Sequence, residues 1–367
     1  MHKHDIFSRR QLFALGAAAA LSPALRLYPA LSVRLAGKGA WLSALCCLPP
    51  LLLYAWLCSR LAAARREGEG LGELALRCLG EKAGRALLLL LGLWLLVYAG
   101  FALRAAADRF VVALFPRSAP GFFVVTLGLA ALRAALGSPR ALARMARMLF
   151  PLLTGVILLL LLCSLRQAEP ENLLPLTGED ALPVLLGALS VGEVLLFALF
   201  APGFLLGNVK KEPGGTGELA LWLSGMCLLL TAICAAVLGC IGAEITQRLS
   251  LPFFTLVRNL VFFRSLERVE ALVVSLWLFP DFLLCALTLL CAGHSLRLAL
   301  GGTFPFLSRG RGVVWLSASA AIALGLWMAP NAAWLTLWSE RIVPIGQGAA
   351  ALSVPIIYMV GKSKHRL

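Results

Sequence analysis

The sequence predicts an all-α, polytopic membrane protein of about ten transmembrane helices, and three observations carry that prediction. The 367 residues are 60% hydrophobic and only 14% charged, where a soluble protein would carry about 25% charged residues. The apolar residues fall into runs long enough to cross a bilayer, at about 20 residues for ~30 Å of hydrocarbon. The basic residues, which give a net charge of +15, sit mainly in the short segments between those runs. Anionic lipid and topology account for that charge, and a nucleic-acid partner is not expected.

Ten spans follow in order: 11–28, 40–61, 86–107, 121–136, 148–165, 182–206, 218–241, 271–292, 313–329 and 333–360. The first begins at Ser8-Arg9-Arg10-Gln11-Leu12-Phe13 and continues into LGAAAALSPA, which imitates a twin-arginine export signal. It is read here as a span, because apolar character resumes to Leu27 and the two arginines serve as interfacial anchors. Between spans 2 and 3, Leu71, Leu74, Ala75 and Leu79 fall at helical spacing and predict a short amphipathic helix. With the N-terminus inside, the inner segments hold 20 of the 33 basic residues, so both termini are expected in the cytoplasm.

The polar stretch Arg166–Asp180 divides the chain into five spans and five spans, about 8–166 and 182–360, within a single transmembrane domain 1–367. An inner linker, 207–217, follows span 6. Many transporters are two inverted five-helix repeats whose first helices break at the binding site. Span 1 offers a break at Ser22-Pro23 and span 6 between Gly192 and Pro202. Span 6 also carries Glu193 near its middle. A charge at that depth costs roughly 2.5–3.5 kcal/mol on insertion scales and needs a partner, a proton or a water-filled cavity.

Other polar residues have structural readings. Asp281 lies mid-span in span 8, after Pro280, where it either lines the same pocket or pairs with a basic group. Arg104 and Asp108 are four apart and pair along one helix face near an outer end. Glu267, Arg268 and Glu270 open span 8 and are read as structural or subunit-contact residues. Glu340-Arg341 is read as an internal pair. The ten cysteines form no CxxC pair, so no zinc site or redox dithiol is indicated. The histidines, His294 among them, are placed at the termini or in a loop. There is no nucleophile–histidine pair, P-loop or dinucleotide fingerprint, so neither an enzyme nor a cofactor is expected.

Four segments together resemble the B subunit of spore germinant receptors, in the amino acid–polyamine–organocation superfamily. They are Ser8–Leu12 running to Pro29 and then Ala36–Ser43; Phe115–Pro120 leading to Gly137 and Arg147; Glu171–Pro175 with Val191-Gly192-Glu193, Pro202 and Lys210-Lys211; and Leu256–Asn259 with Leu266–Ala271 and Trp277. The resemblance implies a leucine-transporter-like fold, a place in the inner membrane of a bacterial spore, and A and C subunits as partners. It also implies a small, amino-acid-like nutrient as ligand. The chain departs from the family pattern at Ser22 and Ala24, where glycines usually let a carboxylate approach bare amides. The expected ligand residues are therefore Ser22, Pro23, Ala24, Gly192, Glu193 and Asp281. The alternative reading is a proton-coupled amino acid or polyamine transporter.

Overall fold

In the computed structural model, which describes residues 6–174, 176–211, 215–260, 269–301 and 312–366, every expected span is helical. Helix α1 (Arg9–Ala36) is followed by a 3-10 segment, Gly37–Leu42, a single turn and α2 (Leu48–Ala64). The amphipathic helix α3 (Leu71–Leu79) precedes α4 (Glu81–Ala113), α5 (Pro120–Ala135) and α6 (Pro139–Ser164). Helix α7 (Ala181–Phe200) leads to α8 (Thr216–Ile241), the short α9 (Pro252–Asn259), α10 (Val269–Leu300), α11 (Gly312–Trp327) and α12 (Ala332–Ser363). Glu267 and Arg268 lie outside the described residues, as does the side chain of Glu270.

The arginine pair at the start marks a helix N-terminus. Ser8 Oγ accepts from the Gln11 amide at 3.3 Å and Gln11 Oε1 accepts from the Ser8 amide at 2.9 Å, a reciprocal cap that satisfies two free donors. Phe7 meanwhile bridges to Val209, its amide donating to the Asn208 carbonyl at 2.9 Å. Start of α1 and linker after α7 therefore share one side of the bundle with Arg366, which bonds to Arg77. We call this side the terminal face.

Helix α1 runs through the middle. Its small residues, Gly16 to Ala20, are buried and let α7 approach closely, as small residues do in membrane bundles. A Cβ on Gly16 would meet the Ala198 carbonyl oxygen at 2.7 Å and Pro202 Cγ at 3.2 Å. On the other flank, a Cβ on Gly100 of α4 would meet Leu324 Cβ of α11 at 2.8 Å. Helix α3 lies where the helical spacing predicts it, with Leu71, Leu74 and Ala75 buried.

Three expectations are corrected, and a fourth is sharpened. Helix α1 does not break at Ser22-Pro23: Pro23 and Pro29 both sit inside one continuous helix. A proline removes one backbone donor, and in a membrane bundle neighbouring groups absorb that loss. Span 6 changes at the far end of the expected interval between Gly192 and Pro202: the α-helix passes through Gly192 and gives way at Ala201, beside Pro202, to a 3-10 segment, Ala201–Asn208. Glu340 pairs with Arg34 of α1 rather than with Arg341, since adjacent helical side chains diverge. His294 belongs to α10, not a loop, and its Nε2 lies 3.1 Å from Glu73 Oε1 on α3.

Candidate functional site

Two acids and two arginines lie in the interior, on elements from both halves of the chain, and only one acid is paired. Asp281 of α10 is 2% exposed and accepts from the Ser22 hydroxyl and from Arg109 of α4. Arg109 also donates to Ser22, to its carbonyl at 3.2 Å and its hydroxyl at 3.1 Å. One carboxylate thereby ties α1, α4 and α10 together, and its charge is matched. Such a triad answers the demand that a buried charge be paired and hydrogen-bonded.

Glu193 of α7 is in the opposite condition. It is 5% exposed, and neither Oε1 nor Oε2 has a hydrogen-bond partner. Leaving a buried polar group without its partner costs about 1–3 kcal/mol, and more for a charged one. The cation whose field reaches it is Arg26, four residues after Ser22 on α1. The two are farther apart than an ion pair. Arg26 donates to Ser339 Oγ at 3.5 Å and lies 5.2 Å from the centre of the Phe101 ring. Ser339 is presented by a π-helical turn of α12, Trp338–Ile342, a distortion frequent at functional sites. Tyr98 of α4 and Gln347 of α12 complete the group. Tyr98 stands beside Phe197, and the buried Gln347 amide makes no hydrogen bond of normal geometry through either terminal atom.

A narrow cleft of about 20 Å³ reaches this region. Its lining includes Arg26, Arg109 and Asp281, with Leu251, Phe254 and Trp277 toward the face opposite the termini. Glu193 does not line it. The cleft ends at the arginines, and the acid is sealed behind them.

The expected site residues thus separate. Ser22 and Asp281 are brought together, and Glu193 lies beyond Arg26. Pro23 and Ala24 are buried within α1 without lining the cleft. A Cβ on Gly192 would meet Cys47 Sγ at 3.6 Å, an ordinary contact, so this glycine leaves no special space for a ligand. Arg104 pairs with Asp108 at 3.3 Å as expected, and its Nε donates to the Ala329 carbonyl at 2.9 Å, tying α4 to the segment after α11. Arg26, Arg109, Tyr98 and Gln347 were not anticipated. The signal for Arg26 was present: a cation inside the apolar run Leu21–Leu27, one helical turn from Ser22.

A family model described as "Spore germination protein" matches residues 7–299. No curated protein matches the sequence. Among solved structures, the chain is similar to Mhp1, a nucleobase–cation symport family transporter solved in a closed conformation with bromovinylhydantoin. That likeness has a TM-score of 0.64 and 14% identity over 96% of this chain and 80% of the other. It is also similar to MhsT in complex with L-phenylalanine, with a TM-score of 0.61 and 15% identity over 96% of this chain and 100% of the other. At such identities the likeness establishes the fold, which is that of the leucine-transporter-like transporters.

Proposed function

The chain belongs to the spore germination protein family, and from that premise we propose that it is the nutrient-sensing membrane subunit of a germinant receptor. It is a multi-pass membrane protein of transporter-like fold, not an enzyme. In the proposed setting it lies in the spore inner membrane with both termini cytoplasmic, beside a larger A subunit and a lipid-anchored C subunit.

The observation that carries the reading is the mismatch at Glu193 and Arg26. A buried carboxyl lacks any donor, and a nearby guanidinium has one long bond to a hydroxyl. A small zwitterion supplies both missing partners, its ammonium group to Glu193 and its carboxylate to Arg26. This arrangement does not need the bare backbone amides that Ala24 and the continuous α1 deny. Charge-assisted bonds of this kind are about twice as strong as neutral ones, and guanidinium binds carboxylate in a planar fork. In this reading Gln347 and Tyr98 complete the ligand's hydrogen bonds.

With the cleft ending at Arg26, the described conformation is closed over Glu193. Entry of a ligand then requires a second, open state, and a ligand shifts such a balance only by its differential affinity for the two states. The partner subunits would read that balance. MhsT holds an amino acid in this same fold, which agrees with the proposed ligand class but does not identify a ligand.

The test is a thermal-shift screen of free L-amino acids on the purified protein in nanodiscs, with their methyl esters and their deaminated acids as controls. At least one amino acid should stabilise the wild type while its ester and deaminated analogue do not, and Glu193→Gln should remove the shift. An undiminished shift in Glu193→Gln would show that the ligand sits elsewhere.

A further inference from the structure

A second cavity, about 420 Å³ against about 20 Å³ for the cleft, opens at the terminal face. Its walls come from α1, α2, α7, α8 and α12 and are apolar, Leu12, Leu61, Leu199, Phe200 and Trp222 among them. Its size lies within the range of about 300–1,000 Å³ usual for small-molecule sites. Three cations line it as well: Arg9, Arg65 and Lys211. Arg9 lies 3.6 Å from Glu218. Arg65 and Lys211 have no carboxylate within ion-pair distance among the described residues.

Arg65 is the telling residue, because it is 4% exposed. Its guanidinium donates to the Leu206 and Val209 carbonyls, the latter at 2.7 Å. These bonds fix its position and use two of five N–H donors, and Glu67, the carboxylate whose field reaches it, is beyond ion-pair distance. Lys211 donates to the Arg65 carbonyl at 2.9 Å, which brings a second positive charge to the same rim. An apolar chamber at membrane depth below clustered cations at the interface has the polarity of an anionic amphiphile.

We propose that this chamber binds an anionic phospholipid of the surrounding leaflet, with an acyl chain inside and the headgroup phosphate on Arg65 and Lys211. A soluble anion would satisfy the rim and leave the apolar volume unfilled. A zwitterionic lipid would fill the volume, but its own cation would oppose the rim. Because Leu199, Phe200 and Pro202 are walls, the bound chain braces α7 where it passes from α-helix to 3-10 helix. The lipid would thus stabilise one state of the helix that carries Glu193. The inference stands independently of the nutrient-sensing reading.

Native mass spectrometry of the protein from nanodiscs of equal parts phosphatidylglycerol and phosphatidylcholine tests it. Phosphatidylglycerol should be retained preferentially, and its retention should fall about fivefold on Lys211→Gln, the worth of one interfacial cation. Leu199→Trp, which fills the chamber and keeps every cation, should lose the lipid; Arg65→Gln should lose it too, if that variant folds. Thermal shifts with glycerol phosphate, which has the headgroup and no chain, should be absent. Equal retention of both lipids, retention unchanged in Lys211→Gln or in Leu199→Trp, or a full shift with glycerol phosphate would each overturn the proposal.

Discussion

Replacing Asp281 by asparagine should destabilise this protein more than almost any other isosteric change. The side chain keeps its shape and loses its charge. Arg109, 8% exposed, then keeps a buried guanidinium with no counter-charge, and Arg26 nearby adds repulsion. Breaking a buried pair on one side costs about 3–5 kcal/mol. The neutral part of the triad contributes less: Ser22→Ala removes one hydroxyl and should cost about 1 kcal/mol. Removing both charges at once, Arg109→Met with Asp281→Leu, leaves nothing unpaired and should recover most of the loss, since apolar replacements of a buried pair are often neutral or stabilising. Reversible denaturation in mixed micelles, followed by the reactivity of Cys285 one turn beyond Asp281, reads these differences. The buried thiol should become accessible at a lower denaturant level in Asp281→Asn and near the wild-type level in the double variant. An asparagine variant within about 0.5 kcal/mol of the wild type, the usual range for surface changes, would refute the idea that this carboxylate ties three helices. So would a double variant no better than the single.

Other consequences follow from single contacts. Glu73 lies outside the spans. Burial by itself would raise its carboxyl, but the hydrogen bond and charge of His294 and the amides of Glu73 and Gly70 outweigh it and hold the group below its ordinary value of 4.5. The stabilisation of α3 by this contact is therefore present above that ordinary value and lost as pH falls through the depressed one. Hydrogen exchange should show α3 amides losing protection in that acid window, and Glu73→Gln should remove the dependence. Gly16→Val should push α1 from α7 and cost about 1–3 kcal/mol, read as a lower melting temperature, whereas the same change at Gly217, where an added Cβ meets nothing, should be tolerated. Proteoliposomes with an imposed proton gradient should show no concentrative amino-acid uptake; uptake abolished by Glu193→Gln would make the protein a transporter.

The spans were legible because bilayer length and apolar runs leave few alternatives, and Leu71, Leu74 and Ala75 announced α3 by spacing alone. The continuity of α1 was not legible. Proline between apolar segments reads as a break, yet here the small residues of α1 pack against α7 and the helix persists. Asp281 and Glu193 are visible as charges at depth, but not that Arg109 pairs with the one while the other is left without a donor. That depends on how α4 and α1 rotate about their axes, and Arg109 turns inward one residue after Asp108 turns to Arg104. His294 was misplaced because Arg297 and the glycines around it imitate a loop, whereas α10 runs on to Leu300.

The central claim is that Glu193 and Arg26 hold the nutrient between them. The nutrient dose–response of spores carrying Glu193→Gln in the intact receptor, with receptor abundance checked by immunoblot, tests it most directly. Losing one charge-assisted bond to a ligand, worth about 1.5–3 kcal/mol, should raise the half-maximal concentration about tenfold or more. Curves that overlay those of wild-type spores for every nutrient, at equal abundance, would contradict it.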